Sequence, residues 1–174
     1  MSKIQINKLI NANVYMNVAN LLGRAEEVQL PQIKHKMAEH KALGMIGSAE
    51  FFAGIDKLEC KIKWNALYPD VLTACANPFI AVPIQVRASL ETYTSAGRVS
   101  EVPAIAYISG TFKEFPLGTI KPGDNAEYET TMSVTYAKLV VAGVDIFEID
   151  VLEISTKLMV WIFYPHLKVT SVGK

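Results

Sequence analysis

Residues 57–64, KLECKIKW, alternate without a break: Leu58, Cys60, Ile62 and Trp64 fall on one side, Lys57, Glu59, Lys61 and Lys63 on the other. Successive side chains of an extended chain point to opposite faces, so one dry and one wet series at a period of two predicts a half-buried β-strand. Two further stretches repeat the pattern. In residues 82–91, Val82, Ile84, Val86, Ala88 and Leu90 oppose Gln85, Arg87, Ser89 and Glu91. In residues 127–136, Tyr128, Thr130, Met132, Val134 and Tyr136 oppose Glu127, Glu129, Thr131, Ser133 and Thr135. Strands of this length suit a large antiparallel sheet with its core on one face.

The remaining segments fit around them. Residues 103–113 are apolar on both faces and read as a more central strand; residues 144–151 read as another. Beyond Tyr136 the alternation would point Lys138 inward, which is compatible with a bulge. Turn chemistry falls at residues 94–97 (TSAG), at 121–125 (KPGDN) and at Gly143. One helix is expected: Pro69 suits a first helical position, Val71, Leu72 and Cys75 form an apolar stripe, and Asn77-Pro78 ends it. Residues 32–43 could form a helix, but Gly44 and Gly47 follow at once, and an extended arm over about 32–56 is the better reading.

Composition narrows the function. A length of 174 residues suits one domain, 1–174, with a core that needs no staples. The hydrophobic fraction is 51% and the charged fraction only 20%, which points to more apolar surface than one small monomer hides, and so to self-association. The 17 basic and 17 acidic residues balance, so the basic excess of a phosphate-gripping protein is missing. Cys60 and Cys75 form no CxxC pair and read as reduced thiols. The N-terminus lacks a continuous apolar stretch and is not expected to be a signal peptide. The longest apolar run, residues 158–164, is too short to cross a bilayer, so no membrane insertion is expected.

The motifs of chemistry are weak. Gly44 and Gly47 form GxxG with no Lys-Ser/Thr after them, unlike a phosphate-binding loop. Ser48 is not in a GxSxG elbow. Cys60 and Cys75 sit on dry faces. His35, Glu39 and His40 form HxxxEH, which converges at most two ligands, short of a zinc site. Glu127 and Glu129 share a strand face at a spacing that acid–base catalysis could use, but their neighbours are hydroxyls with no evident pocket. No catalytic residue, metal ligand or cofactor is expected.

The order of motifs carries a resemblance. Asn13-Val14-Tyr15-Met16-Asn17, Val28-Gln29-Leu30-Pro31 and Gly44-Met45-Ile46-Gly47-Ser48-Ala49 lie in the first part of the chain. Gly110-Thr111-Phe112-Lys113-Glu114, Pro122-Gly123-Asp124, Thr135-Tyr136-Ala137-Lys138-Leu139 and Glu148-Ile149-Asp150 lie in the second. In this succession, over residues 13–151, the chain resembles the major tail tube proteins of contractile-tailed phages and R-type pyocins. The segment 152–174, with its apolar end LMVWIFYPHLKVTSVGK, departs from the family pattern.

The resemblance implies a mainly β, antiparallel sandwich or barrel-like subunit with one short flanking helix and the extended hairpin arm. It implies hexameric rings stacked into a hollow tube, sheets joined edge to edge, and passage of double-stranded DNA along the lumen without specific binding. The implied partners are further copies of the chain, a tail sheath protein, and baseplate and tail terminator proteins. The implied location is the virion tail, assembled in the host cytoplasm. Gln85, Arg87, Ser89, Glu91, Glu127, Glu129, Thr131, Ser133 and Thr135 are the expected lumen lining, with Arg87 paired to a glutamate. Leu43, Met45, Ile46, Phe51 and Phe52, too apolar for a free surface loop, are the expected contacts with neighbouring subunits; the bland alternative folds them over the chain's own core. The C-terminal run is expected to be a buried strand or a ring-to-ring contact. Three rival readings remain open: the tube of a DNA-free injection device, a monomeric ligand-binding β-barrel, and a hydrolase using Glu127 and Glu129.

Overall fold

The computed structural model describes residues 4–114, 116–123, 125–153 and 155–158. The chain is mainly β and antiparallel, with one short helix, as the alternating stretches predict. Its elements are β1 (Ile6–Met16), β2 (Ala19–Asn20), β3 (Ala25–Gln29), β4 (His35–His40), β5 (Ala49–Ile55), β6 (Leu58–Trp64), α1 (Pro69–Cys75), β7 (Val82–Thr94), β8 (Gly97–Glu114), β9 (Tyr128–Val141), β10 (Val144–Asp150) and β11 (Ser155–Leu158). Nine strands make one sheet in the order β11-β10-β9-β8-β7-β1-β2, with β6 paired to β9 and β3 to β6; β4 and β5 make a separate two-stranded sheet. The described residues group into two compact units, one from residues 4–22, 83–109 and 135–158, the other from residues 23–82 and 110–134. The long strands β8 and β9 contribute to both.

In the unit of residues 23–82 and 110–134, the opening alternation builds the core. β6 buries Leu58, Cys60, Ile62 and Trp64 and leaves its charged series half-buried or exposed. Its register with β9 sets Leu58 opposite Val134, Cys60 opposite Met132, Ile62 opposite Thr130 and Trp64 opposite Tyr128, so two dry series face one way. Fully burying one such apolar side chain is worth about 1.5–3 kcal/mol. Thr130 is a polar residue inside this layer, and it accepts a 3.0 Å hydrogen bond from the Trp64 indole N–H. That bond lets a buried tryptophan keep its donor satisfied. The Trp64 and Tyr128 rings stack at 6.3 Å. α1 begins at Pro69, buries Val71 and Cys75, and ties its first turn to Arg24 through Asp70 at 2.6 Å.

In the other unit, β1 and β7 bury Val14 against Val86 and Met16 against Ile84. The β1–β2 connection is a two-residue loop, Asn17 and Val18, with both φ positive at 48° and 71°. The β9–β10 loop, Ala142 and Gly143, repeats that geometry at 53° and 78°. Such mirror-image turns match the twist of a hairpin's strands. The irregularity expected near Tyr136 lies on β10: the register steps from Asp145–Val140 to Phe147–Leu139 and leaves Ile146 as the extra residue. Lys138 is half-buried, with its ammonium 2.7 Å from Asp145 and 3.8 Å from Glu148. The apolar run after Leu158 lies outside the described residues.

Candidate functional site

The arm is the hairpin of β4 and β5, whose strands, among the described residues, pair only with each other. Met37 opposes Phe52, Ala38 opposes Phe51 and Glu39 opposes Glu50, while a register slip leaves Ala53 as an extra residue. Directly opposed residues share a face. One face therefore carries His35, Met37, Glu39, Glu50 and Phe52; the other carries Ala38, His40 and Phe51. His35 meets Phe52 edge-on at 5.5 Å and His40 meets Phe51 at 6.1 Å. The base is closed by Asp56 N–H donating to the Lys34 carbonyl at 2.8 Å. All five expected contact residues are exposed in the isolated chain: Leu43 and Ile46 completely, Phe51 58%, Phe52 50% and Met45 39%.

The polar strand faces are less uniform than the alternation suggests. Glu127 and Glu129 are exposed, and each is held by a lysine of β6: Glu129 by Lys61 at 2.9 Å, Glu127 by Lys63 at 3.1 Å. Lys63 also meets Glu26 at 2.7 Å, and these two glutamates push its ammonium further up its range. Glu59 takes Lys113 at 2.6 Å and Lys57 at 2.9 Å, and these hydrogen bonds hold its carboxyl down at about 2. This face is thus a charge-balanced lattice across β3, β6, β8 and β9. Ser133 is exposed on it. Thr131 is not on the wet surface; it is buried and donates its hydroxyl to Glu114 at 3.1 Å.

On β7, Gln85 and Ser89 are half-buried and Arg87 is exposed. Among the described residues Arg87 does not pair with a glutamate as expected. Its guanidinium donates to Gln85 at 2.7 Å and lies over the Tyr15 ring at 4.7 Å. Glu91 is buried rather than wet, because the Tyr93 hydroxyl and Arg98 close on its carboxylate, the latter at 2.8 Å. Those contacts hold Glu91 below the usual carboxylate range, the tyrosine contributing most. Thr135 is half-buried and donates to the Ser109 carbonyl at 3.3 Å.

The candidates for chemistry stay apart. Cys60 and Cys75 are buried, and burial pushes both thiols up to about 12. His40 sits on the arm face opposite His35 and Glu39. Among the described residues no cluster of three His, Cys, Asp or Glu side chains could hold a metal.

Residues 6–158 match the family described as phage tail tube protein FII. The chain belongs to that family. It is also 28% identical, over 155 residues covering 87% of this chain and 88% of the relative, to the tail tube protein of Escherichia phage P2. It is accordingly a structural subunit of a phage tail tube, a virion component that assembles with itself and with other tail proteins. The match reaches β11, past the stretch over which the motifs carry the resemblance. Sequence reasoning placed Glu59, Lys61 and Lys63 on the polar face of their strand but missed their ion pairs with Lys113, Glu129 and Glu127. The alternation of residues 57–64 was visible, but the strand pairings that bring these partners together were not.

Proposed function

We propose that six copies of the chain close into a ring, that rings stack into a hollow tube, and that double-stranded DNA passes along its lumen during ejection. The observation that carries this reading is the arm. A two-stranded hairpin is marginally stable alone in water, and among the described residues this one leaves Met37, Leu43, Met45, Ile46, Phe51 and Phe52 exposed. The arm packs on an adjacent subunit and on the next ring. Open strand edges support ring closure: among the described residues, residues 6–13 of β1 pair only with β7, and a neighbour's edge strand completes them. Such head-to-tail contacts close into a ring when the rotation fits.

The lumen lining is drawn from Gln85, Arg87, Ser89, Glu127, Glu129, Ser133 and Thr135, with Thr131 and Glu91 set behind the wall. DNA carries one negative charge per about 1.7 Å of axis, so a wall with surplus lysine would hold it. Lys61 and Lys63 are already spent on glutamates, which leaves a hydrated surface of balanced charge. The outer face meets a sheath protein, the ends meet baseplate and terminator proteins, and assembly takes place in the host cytoplasm. The subunit has no catalytic task.

Electron microscopy of the purified protein tests this reading. Sixfold rings or hollow tubes are expected, and F51S/F52S is expected to yield only small folded particles. Normal tubes from that variant would remove the arm from assembly. Glu129 on the tube exterior would overturn the lumen assignment.

A further inference from the structure

Glu39 and Glu50 stand directly opposite each other on the arm, on the face that exposes Met37 and Phe52. Like charges opposed across a strand pair weaken it, so the fold of the single chain gains nothing from this arrangement. Neither carboxylate has a cation partner among the described residues. An apolar surface with two such carboxylates next to Met37 and Phe52 fits a partner that brings apolar side chains and a cation.

Among the described residues, Lys8, Lys34, Lys41 and Lys121 are in no ion pair. Lys34 and Lys41 flank the arm itself. A contact of arm with arm would be isologous and would close on a pair, whereas a growing stack requires two different patches. Lys8 lies in register opposite Glu91, on the strand face assigned to the lumen. Lys121 is different. It lies in the exposed loop of residues 116–123, which also displays Leu117, 67% exposed, and Ile120, 83% exposed. That loop has the chemistry the arm lacks.

We infer that the arm of one copy docks on the 116–123 loop of a second copy, with Lys121 between Glu39 and Glu50 and with Leu117 and Ile120 against Met37 and Phe52. The inference rests on the reading of the arm as an intersubunit contact and names its acceptor.

A charge swap in the full-length chain tests it, read as the fraction of protein that sediments as tubes. K121E and E50K, each alone, should reduce that fraction at least about tenfold, the fold-change that roughly 1.4 kcal/mol corresponds to. E50K/K121E restores opposite charges across the contact and should recover most of it. In parallel, M37C and I120C chains mixed under oxidising conditions should form a disulfide-linked pair that neither forms alone, a readout that does not depend on visible tubes. Normal tubes from K121E, a double variant no better than K121E, or no linked pair would each overturn the inference. If F51S/F52S blocks assembly while K121E does not, the arm remains a contact and only this acceptor falls; if both assemble, both readings fall.

Discussion

Gly110 of β8 packs against the backbone of Ser133 in β9: a Cβ at residue 110 would lie 2.0 Å from the Ser133 carbonyl oxygen and 2.8 Å from the Val134 Cα. Both are main-chain atoms that cannot rotate away. G110A should therefore destabilise the protein by about 3 kcal/mol, the upper end for overpacking a core. Denaturant unfolding measures it. A change below about 1 kcal/mol would mean that the two strands separate here at little cost.

The lattice around Glu59 makes acid sensitivity specific. Lys113, then Lys57, lower this carboxyl from 4.5 to about 2. A carboxylate depressed in the folded state adds stability that is full above its unfolded value and is lost as pH falls through the folded one. The Glu59 contribution should be intact at pH 7, decline below about pH 4.5 and vanish near pH 2. E59Q should thus be less stable than the parent at pH 7, with the gap closing as pH falls and narrowing in high salt, since the pair is partly exposed. A gap independent of pH, measured by urea midpoints, would refute this.

Val18 is a β-branched residue held at a φ of 71° with its side chain 94% exposed. The left-handed region costs such a residue roughly 1–2 kcal/mol, and Asn-Gly is the favoured pair for this turn. V18G should raise stability by up to about 1 kcal/mol after the greater chain entropy of glycine is subtracted. Calorimetry checks the sign. A loss would show that the isopropyl group contributes more than the strain it causes.

Both cysteines should resist a thiol reagent. Burial disfavours the thiolate, the nucleophilic form, and both side chains are almost fully enclosed. At pH 8 the native protein should label at least about 100-fold more slowly than the denatured chain, because reaction waits on opening. Fast labelling of either would show that its unit opens readily.

The amino-acid sequence alone determined the class of fold and marked an apolar stretch that the structure leaves exposed. β6 needed no tertiary information, because a period of two in KLECKIKW satisfies only a strand with one dry face. Pro69 and Asn77-Pro78 bounded α1 through backbone geometry alone. The apolar tip at Leu43, Met45 and Ile46 was evident because hydrophobicity is a property of single residues.

Tertiary structure decided what depends on register and on neighbours. Alternation assigns a side of the strand, but not which charges from another strand share it; hence Lys61 beside Glu129, Lys63 beside Glu127, and the opposition of Glu39 to Glu50. Nor does it give depth. Thr131 and Glu91 occupy polar positions, yet Glu114 of β8 closes on the first, and Tyr93 and Arg98, two and seven residues further along, close on the second and turn a wet site into a buried one. Gly110 reads in the sequence as an ordinary strand glycine, and only the approach of Ser133 shows why no larger residue fits. A local pattern encodes which way a side chain points; what it meets there is set by pairings between distant segments, which folding alone brings together.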